Sequence, residues 1–501
     1  MSEALRMARA TANHRWFLLI GGIVGALVVV LPLPLGLGIV GGAIVAGASA
    51  FAPGLMASLL ILSVPVQDVV RFPVGAFGVT ATQLALAATT IALPVVVLAG
   101  SKRFRFPLVA QLLLIYLLVQ LVSLAVAPNV LYGIATIYRW LAALVAFLAV
   151  IHFYDSRRAV VLLATALAAV ALAEIGFGAI QSALGIAPPS FLVSSGIYRA
   201  YGTFGQPNPY AGYLEMVGLW LLPIVFWVGY AGYVHLERYL KKRWSGFCAT
   251  SRLRRRLLVY GLLFVWLALG AAASFAGILL SFSRGAWVGT LAGLLVLFAF
   301  APRTIRSTVL PLFGLAGLVL VGGGWQQVPE PIRERAQQLI TQARPFDVRD
   351  VQLTGENWAV VERMVHWQAA WGMFLDHPLT GVGAGNFSVV FPEYSPHPLF
   401  RISRGHAHNY YLHVLAELGL PGFVVYLALL GSGVALMIGA LRRRRNGLDR
   451  AIVLGALAAT TAVAVHNLVE NLHELHLSVH LFAMWGLVWL VSEGWKRHVS
   501  G

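Results

Sequence analysis

Apolar runs long enough, or nearly long enough, to cross a bilayer recur from Trp16 to Trp495, and they leave this chain few folds to choose from. In hydrocarbon each backbone N–H and C=O has to find its partner within the protein, so such runs become helices. Crossings are read near 16–32, 35–51, 54–66, 78–99, 106–127, 129–153, 159–182, 210–232, 258–281, 286–301, 308–324, 410–440, 451–468 and 477–494. The earliest runs are short, so two of them stand either as half-spans or as one broken hairpin, and the count is about 12 to 14. Composition agrees, with 59% hydrophobic residues, 11% charged and a mean hydropathy of +0.79. The expected fold class is all-α: a polytopic integral membrane protein forming one integrated domain. Its parts are an N-terminal transmembrane bundle (1–325), a helical loop (326–409) and C-terminal transmembrane helices (410–501).

Charge sets the orientation. Arg6, Arg9 and Arg15 precede the first run. Short loops then carry Lys102, Arg103 and Arg105, Arg157 and Arg158, and Arg303 and Arg306. A longer basic loop spans Arg238 to Arg256, and Arg442 to Arg445, Arg450, Lys496 and Arg497 complete the set. The proposed crossings put all of these on one side, so that side is the cytoplasm and both termini lie there. The net charge of +17 is therefore topological and gives no support for nucleic-acid binding. The single cysteine, Cys248, falls in the long basic loop and allows no internal disulfide. The first run resembles a signal anchor without a small-residue cleavage site and is expected to be retained.

The arginines left on the outer side are disfavoured there and each asks for a reason: Arg71, Arg139, Arg199, Arg284, Arg333, Arg335, Arg344, Arg349, Arg363, Arg401 and Arg404. Residues 326–409 form the one long polar stretch. Pro329 and Pro331 open a helix, PIRERAQQLITQ. A second is expected from Thr354, with Glu356 near its N-terminus, ending before Pro378. Along it Trp358, Val361, Val365 and Trp371 recur at helical spacing and leave Glu362, Arg363 and His366 elsewhere, as in a helix lying on a membrane or capping a cavity. DHPLTGVGAGNF (376–387) is turn-rich; its glycines either approach a ligand or form a flexible loop.

Nucleotide chemistry finds no footing. Gly36-Leu-Gly-Ile-Val-Gly41 matches a dinucleotide fingerprint by letter only, inside an apolar run with no strand before it. There is no P-loop and no Asp-x-Asp pair to hold a metal and a sugar nucleotide. His466, His473, His476 and His480, near Glu470 and Glu474, invite a metal reading, but unliganded interfacial histidines are preferred and no metal site is assigned. Asn409, His413 and Glu417 share a helix face, either lining a polar pocket or, preferably, pairing with a neighbouring span.

Four outer patches remain: YRAYGTFGQPNPYAGY (198–213) with Arg199, SFSRGAW (281–287) with Arg284, ERMVHWQAAWGMFLDHPLTGVGAGNF (362–387), and HAHNYYLHVLAELGLPG (406–422). Ionisable groups at membrane depth are costly and usually functional. The patterns Arg-x-x-Gly-Thr-Phe-Gly-x-Pro-Asn, Ser-Arg-Gly and His-Asn-x-x-Leu-x-x-x-x-Glu-x-Gly, in this order over roughly 190–440, resemble the O-antigen ligase and O-antigen polymerase superfamily of bacterial inner-membrane glycan transferases.

The resemblance implies transfer of a glycan from polyprenyl (undecaprenyl) diphosphate to a sugar hydroxyl at the periplasmic face, without metal, nucleotide or other cofactor. His408 matches the motif histidine and is expected to act as base, since an acceptor hydroxyl is a poor nucleophile and imidazole titrates near neutrality. Arg199 and Arg284 are expected to hold the diphosphate, because guanidinium binds phosphate oxygens in a fixed fork and keeps its charge. Arg139, Arg363, Arg404, His406 and Asn409 are further candidate substrate contacts. Blander readings stand beside these: His408 as a helix-entry residue, Arg284 reaching for headgroups, Arg199 solvated in its loop, and Arg139 against a headgroup. The leading expectation is an O-antigen ligase with lipid A–core as acceptor, among membrane lipids. A polymerase, a protein O-glycosyltransferase and a carrier transporter are the alternatives. A transporter would place its charges near the midplane in two related halves, which this chain does not show.

Overall fold

The computed structural model describes residues 52–67, 69–74, 77–99, 104–193, 196–244, 251–303, 306–307, 311, 318–319, 322–341, 346–349, 351–354, 357–403, 405–443 and 447–495. The expected crossings at 16–32 and 35–51, most of 308–324, and Arg404, Glu356, Arg344 and Cys248 lie outside the described residues. Fourteen α-helices are labelled here: α1 Pro53–Ser63, α2 Ala81–Ala99, α3 Leu108–Ser123, α4 Val130–Phe153, α5 Arg157–Leu184, α6 Pro207–Trp244, α7 Ser251–Leu280, α8 Arg284–Ala299, α9 Glu330–Thr341, α10 Trp358–Asp376, α11 Phe387–Tyr394, α12 Tyr410–Arg443, α13 Leu448–His466 and α14 Leu477–Glu493. Eight of them (α2 to α7, α12 and α13) are long and apolar enough to cross a membrane; α1, α8 and α14 are apolar but shorter.

One departure from an all-helical chain is a short antiparallel hairpin, β1 Arg71–Val74 paired with β2 Phe77–Thr80, in the register Arg71↔Thr80. It precedes α2, so the span expected from 78 starts at 81.

Of the eight long helices α13 is the most enclosed, packed on α6 and α8, while α14 lies on α4 and α5 on α7. Small residues permit the close contacts that helices in lipid depend on. A Cβ at Gly270 of α7 would stand 2.4 Å from the Ala168 Cβ of α5, and one at Gly455 of α13 would meet the Trp220 backbone of α6 at 2.7 Å. The outward faces stay apolar, as Leu118, Leu121 and Val122 on α3 and Leu262, Val265 and Leu269 on α7 show, each at least half exposed. A surface of that kind suits acyl chains rather than water.

The two ends of the bundle differ in chemistry. Where α5 and α13 begin and α14 ends, Arg157 grips Asp449 bidentately at 2.7 Å for both bonds, and Trp495 donates to the same carboxylate at 3.1 Å. At the opposite end α5, α7 and α13 finish and α6, α8, α12 and α14 start. The quoted motifs sit there.

Helix α12 breaks at Gly419, which is left-handed in φ (62°), two residues before Pro421. Pro421 has no N–H to give Glu417 O, and the N–H of Leu420 is diverted to Pro378 O at 2.8 Å. The freed carbonyls of Ala416 and Glu417 accept instead from Val382 (2.9 Å) and Gly383 (3.0 Å). The Glu417 carboxylate takes the N–H groups of Gly385 (2.7 Å) and Phe387 (3.0 Å) at the start of α11. The 376–387 segment is therefore docked on the kink. Its glycines meet protein backbone rather than a ligand: a Cβ at Gly381 would reach Glu417 C at 2.2 Å. Glu417 pairs with this loop, not with a neighbouring span.

Helix α9 agrees with expectation, while α10 starts at Trp358, after a reciprocal cap between Thr354 and Asn357. Its apolar stripe is only half as read. Val361 and Val365 are buried, but Trp358 and Trp371 are more than two-fifths exposed, and His366 is fully buried instead.

Candidate active site

The loop before α6 is held from α5. Glu174 accepts from Thr203 N (3.1 Å) and Thr203 Oγ1 (2.6 Å), and Gln181 Nε2 donates to Gly202 O at 2.9 Å. Gly202 has φ 53°, and a Cβ there would stand 2.2 Å from Glu174 Oε2, so the turn demands glycine. This fixes Arg199, which donates through Nε to Ser281 O (2.8 Å) and through Nη2 to Asn208 Oδ1 (2.9 Å). Arg199 is thus bound between two elements and not solvated in its loop.

Ser283 precedes α8, and Arg284 is its first residue. The glycine of Ser-Arg-Gly has a packing reason: a Cβ on Gly285 would come within 2.5 Å of His466 Cδ2 on α13. His466 Nδ1 lies 3.1 Å from Glu215 Oε1 of α6, both fully buried. Close approach of α8 to α13 sets Arg284 beside the loop that follows His466.

That loop carries Glu470, where the patches meet. Glu470 Oε1 lies 3.1 Å from His408 Nδ1 and 3.4 Å from His406 Nε2, and accepts from Asn471 N at 3.2 Å. Its Oε2 accepts from Asn208 Nδ2. A continuous chain of polar contacts therefore runs from Ser281 O through Arg199, Asn208 and Glu470 to His408. The tautomers follow from the network. His406 Nδ1 accepts the His408 N–H at 3.1 Å, so its proton is on Nε2, facing Glu470. Nδ1–H of His408 faces Glu470, leaving Nε2 with a lone pair. His408 holds φ 49°, an unusual conformation for a side-chain-bearing residue, and its carbonyl is tied to Trp367 Nε1 at 3.2 Å. The His366 ring stands 5.5 Å from that of His408.

The electrostatics are lopsided. Burial pushes the Arg199 guanidinium down to about 9, helped by the charges of Arg335, Arg363 and Arg284 and opposed by Glu470. Arg199 still carries its charge at neutral pH. Burial pushes Glu470 up, yet His408, by charge and hydrogen bond, with His406 and Arg363, holds it well below the usual carboxylate range. Burial, and then His408, pushes His406 well below an ordinary histidine, which keeps it neutral. The charges of Arg335, Arg363 and Arg284 act on Arg199, and those of Arg363 and Arg335 on Arg284, a positive setting that suits an anion.

The ligand atoms of His406, His408 and Glu470 lie within 4.8 Å of one another, a spacing a divalent cation can use. The set does not fit a cation as arranged: the lone pair of His406 is already engaged at Nδ1, and the surrounding charge is positive.

Other candidates have different surroundings. Arg139 pairs with Glu474 and donates to Thr136 Oγ1 at 3.0 Å, so protein groups occupy its guanidinium where a headgroup or phosphate was considered. Asn409 spends its oxygen on Leu412 N (3.1 Å), in the manner of a helix cap. The histidines weighed for a metal diverge: His473 bonds Ser478 (2.8 Å) and Tyr426 (3.1 Å), and His476 bonds Gln67 (2.8 Å). Sequence reasoning missed Asn208 and Glu470 as site residues. Asn208 closes the Arg-to-Asn motif, and Glu470 is a carboxylate at the end of a span, a signal that was available.

Taken together, these features define a multi-pass helical membrane protein with a polar, arginine-rich site at one end of its bundle. Residues 269–427 match the family model described as O-Antigen ligase. That family covers O-antigen ligases and polymerases, glycosyltransferase-like enzymes with lipid-linked glycans and lipid acceptors as partners. The matched segment includes Arg284, Arg363, His406, His408 and Asn409, whereas Arg139, Arg199 and Glu470 lie outside it. No curated protein matches the chain.

Proposed function

We propose that this protein is an O-antigen ligase. In this reading it lies in a Gram-negative inner membrane with about 12 spans, both termini cytoplasmic and 326–409 periplasmic. It moves glycan from undecaprenyl diphosphate to a sugar hydroxyl of lipid A–core. The observation that carries the reading is the chain of contacts linking Arg199 through Asn208 and Glu470 to His408. It joins an anion-binding group to a base.

His408 Nε2 takes the proton of the acceptor hydroxyl as its oxygen attacks the anomeric carbon. The new C–O bond forms while the bond to the diphosphate oxygen breaks, with inversion in a single displacement. Arg199 and Arg284, with Arg363 nearby, stabilise charge on the departing diphosphate, usually a large term in such reactions. Glu470 fixes the His408 tautomer and offsets the charge of the imidazolium. No step calls on a metal or a nucleotide.

The test is transfer by purified protein from polyprenyl-diphosphate glycan to lipid A–core, with EDTA and without ATP, comparing wild type with His408→Ala. Modified core with wild type and none with a folded mutant supports the ligase. Longer carrier-linked glycan with untouched core identifies a polymerase. Lipid binding without either product moves the assignment to transport.

A further inference from the structure

Behind the loop that holds Glu470 lies a polar cavity, of about 20 Å3, walled by α3, α4 and the first turns of α12. Gln120, one turn from the end of α3, is fully buried there, and neither its amide nitrogen nor its amide oxygen has a partner. His413 is 7% exposed, with Nε2 3.5 Å from Glu417 and Nδ1 unpartnered. The neighbouring phenols of Tyr116 and Tyr410 share one hydrogen bond at 3.0 Å, and neither bonds the amide. Buried polar atoms almost always find a hydrogen bond, and three orphans on two residues that line one small space mark a missing partner. That partner has to donate and accept at once and to be about the size of a water molecule, which describes a hydroxyl.

The cavity's position says which hydroxyl. Its lip is the pair Arg139 and Glu474, each about a quarter exposed, at the outer end of the bundle, and Tyr410 in its wall is two residues beyond His408. We propose that this cavity is a subsite that receives one hydroxyl or hydroxymethyl group of the acceptor glycan, gripped by the Gln120 amide and His413 Nδ1. The inference rests on the glycan-transfer reading above. A hydroxyl held there would orient the acceptor sugar next to His408, and a site built to hydrogen-bond a hydroxyl discriminates strongly against its absence. Water offers the same chemistry at the same size, so the experiment has to separate the two.

The probe is the deacylated core oligosaccharide of a rough-type lipopolysaccharide, titrated calorimetrically into detergent-purified wild type, Gln120→Leu and His413→Gln. Leucine keeps the bulk and removes both amide groups; glutamine at 413 keeps a reach toward Glu417 and deletes the Nδ1 position. Each variant is expected to weaken binding about tenfold or more, with melting temperature unchanged or raised. Equal affinity in all three proteins identifies an ordered water and overturns the subsite. So does a wild type that binds no oligosaccharide. Undecaprenyl-diphosphate glycan binding and transfer, measured on the same wild type, then tell whether the ligase reading falls as well.

Discussion

Glu470 Oε1 stands 3.1 Å from His408 Nδ1, although 62 residues separate them in sequence. The carboxylate also takes hydrogen bonds from Asn208 and from the Asn471 backbone, so it is both ionised and immobile. A histidine so held presents its other nitrogen in one orientation.

Glu470→Gln is expected to lower kcat by about 10²-fold or more, because an amide can misdirect the tautomer of His408. KM for the lipid-linked donor should change little, and Glu470→Asp should recover part of the rate. Steady-state kinetics across pH check this. A Gln variant with wild-type kcat would remove Glu470 from the reaction.

Arg199→Lys keeps a charge but loses the two-point hold on Ser281 O and Asn208 Oδ1. Since lysine is a point charge without the fork, donor affinity should fall roughly tenfold or more while the protein stays folded. Binding of undecaprenyl diphosphate, followed in parallel with melting temperature, is the measurement; unchanged affinity would argue against a diphosphate contact.

Gly419→Ala addresses the kink. Its Cβ would stand 2.6 Å from Pro378 O, and φ 62° is strained for alanine. The expected cost is on the order of 2 kcal/mol, seen as a lower melting temperature and faster proteolysis of 376–387. Should the variant match wild type in both, the docking of this segment on α12 is not what the hydrogen bonds imply.

The pH dependence of stability has a defined sign. Burial holds His473 down to about 3 and His476 down to about 4, and His406 is likewise depressed. Below about pH 6.5 the unfolded chain binds protons that the folded one refuses, so stability falls as pH drops from 6.5 towards 4. Above 6.5 these histidines add no slope. Melting temperature at pH 7.5, 6.5, 5.5 and 4.5 should be flat at first and then decline, less steeply in His476→Gln. A decline confined to pH above 6.5 would contradict the assignment.

The spans from 78 to 182 and from 410 to 494 lie within a few residues of where hydropathy put them, because helices in lipid are dictated by length and apolarity alone. The helix ends holding Arg199, Arg284 and His408 are legible too, since a charged or titratable group next to an apolar run stands out. Other features were not. Trp358 and Trp371 fit the apolar stripe of α10 by spacing, yet face outward, and His366 goes inside, because the docked α11 covers a different arc of the helix. The 376–387 glycines read as either a ligand approach or a flexible loop; in the fold Pro421 leaves Glu417 O without a helical donor and the loop supplies one. By itself the sequence determined a helical membrane protein with reactive groups at one end, since burial in lipid is a property of each segment. Only the tertiary structure decided that Arg199, Asn208, Glu470 and His408 form one connected set, since hydrogen bonds reach about 3 Å and depend on how the starts of α6 and α12 meet the end of α13.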